Sequence, residues 1–449
     1  MRIGEALDGA VWSPIHLRIA SALGVAWVLD GFETTVTGPV LANVARELHF
    51  PASTAAWANP IYTIGMLAGA LIFGPLADRL GRRRLFLTTL VIYAIATVLT
   101  GFAWNFATFA VFRFLTGIGI GGEYGAINSA IEEFIPPLYR GRVDGFINAS
   151  WNVGAVVASA AAFAALGLLP TGGWRVVFWF GAVVAIAVVL VRNTLPESPR
   201  WLAARGRIAE ARAIVSRLFG ADSAAARPSD DEGRPSPAGY VEQIAQLWQR
   251  TPARVVFSFI LNLAQVMPYY GILAIGGIAI FPAVGITGRS IPLLYLFGAA
   301  FGFGGQLVMA VLTDAWGRRP TMLVSFLGAG LLCVGLALAH GAHAFVAVFV
   351  IFSAFSAACG AGAYVVISEL FPTELRATGI GLSVAVGRIG AIVAPLAFFA
   401  LNSRFGVSSV FAGMAGIFAA GALAMAWWCR HGVEGRGRSL EEMLESGIR

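Results

Sequence analysis

The sequence predicts an all-α membrane protein, with twelve transmembrane helices arranged as two pseudo-symmetric six-helix bundles. Three observations predict it. The composition is 58% hydrophobic and only 12% charged, with a mean hydropathy of +0.77, a balance that a soluble chain of 449 residues does not need. Apolar runs of about 20 residues or more, enough to cross roughly 30 Å of hydrocarbon, recur twelve times. The charges between those runs also repeat. Asp78 recurs as Asp314, Gly81-Arg82-Arg83 as Gly317-Arg318-Arg319, Glu133 as Glu369, Pro136 as Pro372 and Arg140 as Arg376, each pair 236 positions apart. One shared offset means two copies of one structural unit.

The first run, near residues 17–45, is too long for a cleavable leader and lacks a small-residue cleavage site, so it is an anchor. Runs near 54–77, 84–104, 106–135, 142–168 and 174–195 complete an N-terminal bundle over 1–195. A polar linker follows at 196–252. Residues 199–218 keep helical spacing, while 221–239, with Pro228, Pro235 and Pro237, reads as a mobile stretch. Runs near 253–282, 290–315, 320–340, 343–371, 378–401 and 407–429 form the C-terminal bundle over 253–430, and 431–449 is a tail.

All 31 basic residues are arginine. With both termini in the cytoplasm, Arg46, Arg175, Arg289 and Arg404 face outward and Arg113 and Arg388 fall inside spans, leaving 25 of the 31 on the cytoplasmic side. The net charge of +7 is then a matter of orientation and lipid contact, not of nucleic-acid binding. Cys333, Cys359 and Cys429 are odd in number and fall in or at the ends of spans. They read as small buried residues, with no disulfide framework and no metal site.

Two six-span bundles around a cytoplasmic linker resemble the major facilitator superfamily over the whole chain. Gly74-Pro75-Leu76-Ala77-Asp78-Arg79-Leu80-Gly81-Arg82-Arg83-Arg84 is similar to its loop signature between spans 2 and 3. The second copy keeps Asp314 and Gly317 but has Ala310 in place of Gly74. Three further motifs resemble the sugar-porter group and its organic-ion relatives. They are Pro196-Glu197-Ser198-Pro199-Arg200-Trp201-Leu202 after span 6, the Glu133, Pro136, Arg140 and Gly141 spacing after span 4, and the tail around Glu434. Val433 stands where that tail usually has proline. The repeated charges Asp78, Arg82, Glu133, Arg140, Asp314, Arg318, Glu369 and Arg376, with Glu197 and Glu434, are expected to form a cytoplasmic latch. Exposed ion pairs of about 0–1 kcal/mol each suit a latch that must release. The alternative is a static topology signal with helix capping.

Unrepeated charges inside spans are the candidates for function. Asp30 and Glu33 share one helix face in span 1, yet their counterparts are Val266 and Tyr269; Arg113 in span 4 has Phe349 as its counterpart. At 1.5 Å per residue, Glu33 lies roughly 24 Å from the cytoplasmic edge, and Asp30 and Arg113 near 20 Å, so an acid and a base can pair. Each left alone in hydrocarbon costs a few kcal/mol or more. An acid alternately paired and protonated is a proton-coupling device, and Glu33, Asp30 and Arg113 are its candidates. A static pair between spans 1 and 4 is the alternative. Asp30-Gly31-Phe32-Glu33 resembles the acidic motif of aromatic-acid:proton symporters, with Glu33 for the second aspartate.

Arg388 in span 11, whose counterpart is Asn152, lies about 14 Å deep, near the midplane where transporters bind substrate. Arg388-Ile389-Gly390-Ala391-Ile392-Val393-Ala394-Pro395 resembles span 11 of organic-anion and aromatic-acid carriers. A guanidinium there suits a carboxylate; pairing with Glu123 or another buried acid is the alternative. Where sugar porters place two glutamines in span 7, this chain has Phe259 and Ile260, which weakens hydroxyl recognition; Asn262 stands at their serine position and Gln265 at their asparagine position. Asn148, Trp151, Asn152, Gln265 and Tyr269 are candidates to line the cavity, or to be inter-helix glue. Glu123 is open between a release-side acid and the latch. No Gly-x-Ser-x-Gly elbow, Walker loop or His-Glu-x-x-His is present, and His16, His49, His340, His343 and His431 are scattered. The expectation is therefore no enzyme and no cofactor. The chain should be a monomeric, proton-coupled importer of a small organic anion in the cytoplasmic membrane, with membrane lipids as its surroundings. A sugar or polyol symporter is the alternative, then efflux, then a non-transporting receptor.

Overall fold

The structure, a computed structural model, describes residues 12–80, 82–192, 197, 199–219, 239–372 and 375–431. These are overwhelmingly helical, with no strand among the described residues. Nine described segments are long and apolar enough to cross a membrane. Three shorter apolar helices, Leu85–Gly101, Phe106–Gly122 and Gly173–Ile186, stand at the other expected crossings. The first six spans are Pro14–Thr35 with Thr37–Glu47, then Ala58–Leu80, Arg82–Gly101, Phe106–Phe134, Pro137–Leu168 and Gly173–Arg192. The seventh is Pro252–Ile275, continued through Gly276–Ile280 and Phe281–Ala283. Ser290–Trp316, Arg318–Leu338, Ala342–Glu369, Arg376–Phe405 and Val407–His431 complete the set. Pro199–Ala204, Ile208–Phe219 and Tyr240–Arg250 are short linker helices.

Local chemistry sets the ends. Spans 8 and 9 are joined by Gly317 alone, at φ 94°, and spans 11 and 12 by Gly406, at φ 78°. A one-residue reversal at positive φ selects glycine. The first span is broken at Val36, an interruption the sequence reading missed. Pro39 explains it: its ring crowds the Thr35 carbonyl and it has no N–H to give back. The seventh span instead widens into a π-turn at Gly276–Ile280. The Tyr295 hydroxyl braces that turn, accepting from the Gly277 N–H at 3.1 Å and donating to the Ile272 carbonyl at 3.0 Å.

By packing, the chain forms two compact units. One comprises Met1–Glu33, Ile64–Gly154 and Arg175–Ser236; the other comprises Thr34–Thr63, Ala155–Trp174 and Pro237–Arg449. These groupings are not the sequence repeats, since residues 34–63 and 155–174 of the first repeat group with the second.

In the first unit, spans 1 and 5 touch backbone to backbone. A side chain on Gly31 would strike the Trp151 carbonyl, and one on Gly154 the Val28 carbonyl. Small residues allow this approach, which packing in lipid rewards. In the second unit the core is built on phenylalanine: Phe281 lies 5.3 Å from Phe349 and Phe345 lies 5.6 Å from Phe411, ring centre to ring centre. Here too Glu47 accepts from the Gly172 N–H at 3.0 Å and Trp174 Nε1 at 2.8 Å.

Candidate functional site

Glu33 and Arg113 meet. Both are fully buried, with Arg113 Nη1 3.3 Å from Glu33 Oε2. Arg113 Nη2 also donates to the Glu33 backbone carbonyl at 2.8 Å. The break at Val36 explains why that carbonyl attracts a cation. Glu33 stands in the last turn of Pro14–Thr35, where carbonyls lose intrahelical partners and the helix dipole is negative. The guanidinium also lies 5.6 Å from the centre of the buried Phe178 ring. Gly181 leaves room for the carboxylate, because a Cβ there would fall 2.9 Å from Glu33 Oε1. Asp30, one turn earlier on the same helix, is buried. Span 4 thus brings its base to the acid of span 1, as depth matching anticipated.

In the second unit, spans 7 and 11 share a polar seam. Ser383 Oγ donates to Ser258 Oγ at 2.7 Å, and Gln265 Nε2 donates to Asn262 Oδ1 at 3.1 Å. Half-buried Arg388 donates through Nη1 to the Tyr270 hydroxyl at 3.0 Å. Tyr269, also half-buried, meets Tyr270 edge to face at 5.5 Å. Gln265 is buried, with its amide already engaged. Asn148 and Trp151 are half-buried and Asn152 is buried, all on Pro137–Leu168 in the first unit. Sequence reasoning singled out Tyr269 and passed over Tyr270 as a contact of Arg388. The signal available was weak: Ser258 and Asn262 one turn apart, matched by Ser383 and Gly387.

Of the expected latch, Glu197, Arg318 and Arg376 are half-buried. The side chains of Asp78, Arg82, Glu123, Glu133, Arg140, Asp314 and Glu369, and the whole of Glu434, lie outside the described residues. In the linker, Arg207 forks onto Glu210 through Nε at 2.7 Å and Nη2 at 2.6 Å. Those hydrogen bonds hold the Glu210 carboxyl below the usual carboxylate range. Among the described residues, no group of three or more His, Cys, Asp or Glu could hold a metal ion. Cys333, Cys359 and Cys429 are free thiols.

Residues 23–446 match the family described as sugar (and other) transporter. The chain belongs to that family. It is a major facilitator superfamily transporter, not an enzyme, and a multi-pass protein of the plasma membrane whose partner is a small-molecule substrate. Within the family it is 29% identical to the niacin transporter NiaP of Acinetobacter baylyi, over 85% of this chain and 86% of that protein. It is 25% identical to the benzoate transport protein of the same organism, over 88% and 85%. The fold matches that of the proton:xylose symporter XylE bound to 6-bromo-6-deoxy-D-glucose. The TM-score is 0.72 at 19% identity, covering 96% of this chain and 98% of the other. That likeness fits the twelve-helix architecture.

Proposed function

We propose that the protein imports a small organic anion, an aromatic or related carboxylate, together with protons. The observation that carries this reading is the fully buried Glu33–Arg113 pair inside the membrane-spanning bundle. Buried pairs add little stability over apolar packing of the same volume, so its presence in one copy favours a working role. In this scheme, protonation of Glu33 from the outside releases the charge tie to Arg113, the bundles rock, and loss of the proton inside restores it. Asp30 would serve the same relay. Arg388 would hold the carboxylate, with Asn148, Trp151, Asn152, Gln265 and Tyr269 around the rest of the substrate. Relatives named for niacin and benzoate support an aromatic acid. The scheme includes inside termini, a monomer, bundles at 1–195 and 253–430, and the cytoplasmic latch between them. A sugar or polyol symporter remains the second reading, supported by the Asn262–Gln265 amide pair of span 7.

The test is uptake into proteoliposomes under an imposed inward proton gradient, offering benzoate, niacin and xylose side by side. Gradient-driven carboxylate uptake is expected. Glu33→Gln should abolish accumulation while leaving exchange measurable, and Arg388→Ala should lose the carboxylate. Xylose uptake alone would return the chain to the sugar reading, and undiminished accumulation in Glu33→Gln would remove the coupling role.

A further inference from the structure

We propose that Tyr270 is a positioning residue that fixes the Arg388 guanidinium for a planar carboxylate; this rests on the reading that Arg388 holds the substrate anion. Two features of the seam between spans 7 and 11 carry it. The first is register. Ser258 and Ser383 are joined at 2.7 Å. One turn further on, a side chain on Gly387 would meet Asn262 Oδ1 at 2.5 Å, and one on Gly390 would meet Leu263 Cδ2 at 2.7 Å and Met267 Cγ at 3.0 Å. Glycines on both sides of Arg388 therefore seat span 11 close against span 7 at this level, which brings Arg388 Nη1 to the Tyr270 oxygen at 3.0 Å.

The second feature is the chemistry of the partner. A long arginine is rich in rotamers, and ordering it on substrate arrival costs affinity. A phenol oxygen orders one edge of the planar fork in advance. Unlike a carboxylate, it does so without neutralising the charge. The Tyr270 ring is itself steadied by Tyr269, edge to face at 5.5 Å and 78°. The contact thus presets the plane of the guanidinium that a carboxylate would meet. A neutral carboxamide, which cannot use the bidentate charge-assisted geometry, gains nothing from it.

The experiment compares binding of benzoate and benzamide, and of niacin and nicotinamide, to the purified full-length transporter by calorimetry. The variants are Tyr270→Phe, which removes only the oxygen, and Arg388→Ala. Tyr270→Phe is expected to weaken the two acids about tenfold, the effect of one hydrogen bond to a charged group, with the two amides unchanged. Equal weakening of acid and amide would make Tyr270 merely structural and overturn the proposal. No weakening of the acids in Tyr270→Phe, while Arg388→Ala discriminates acid from amide, would overturn the positioning role alone. Arg388→Ala without acid-selective loss, or wild-type protein that binds neither acid, would overturn the anion site beneath it.

Discussion

Spans 4 and 10 are copies of one element, and they diverge where it matters. Phe109 in span 4 corresponds to Phe345 in span 10, and both are fully buried. One turn on, the first copy has Arg113 and the second has Phe349. Arg113 faces Glu33 and lies over Phe178; Phe349 packs on Phe281 at 5.3 Å and Phe345 at 6.0 Å. The same position in the same fold is thus satisfied by plain aromatic packing. Folding alone did not require a buried ion pair, so the pair is the more informative of the two solutions.

The largest effect should come from breaking the exception. Arg113→Ala strands the Glu33 carboxylate and is expected to cost about 3–5 kcal/mol, read as a lowered unfolding temperature of the purified protein. Imposing the second copy's chemistry, Glu33→Tyr with Arg113→Phe, should recover most of that stability while gradient-driven accumulation stays absent. Recovery of transport in the double variant would show that the pair is only a strut.

A smaller effect sharpens the contrast between the two glycine seams. Gly154 faces backbone, which cannot yield, whereas Gly390 faces the flexible ends of Leu263 and Met267. Gly154→Ala should therefore destabilise by about 1–3 kcal/mol and Gly390→Ala by clearly less, measured by thermal unfolding. Equal losses would mean that span 11 is as rigidly seated as span 5.

The smallest effect belongs to the exposed linker pair. Because Glu210 has its carboxyl depressed by Arg207, its contribution is present above the ordinary carboxylate value and is lost as pH falls through the lower folded value. Arg207→Ala should abolish any acid-side change arising from this pair while leaving transport unaltered, checked by unfolding temperature from pH 3 to 7 and by uptake.

Much of this was legible in the sequence. Hydropathy marked every span, and the 236-residue repeat separated repeated charges from unrepeated ones. Depth along the helices was enough to anticipate that Arg113 could reach span 1. Other features depend on side chains meeting across helices, which one-dimensional spacing does not encode. Tyr270 and Tyr269 are adjacent and chemically identical, and it is the rotation of span 7 that brings the Tyr270 hydroxyl to Arg388. The break at Val36 was signalled by Pro39, but a continuous apolar run concealed it. The Ser258–Ser383 bond needs two residues 125 positions apart in sequence to meet across two helices.

That break gives Arg113 two tethers of different kinds. The Nη1 contact ends on a carboxylate that a proton can silence; the Nη2 contact ends on a backbone oxygen that keeps its lone pairs at every pH. Neutralising Glu33 thus loosens the arginine without casting it adrift. The guanidinium would keep its hold on the backbone oxygen, and the buried cation would face the negative end of a helix instead of bare hydrocarbon.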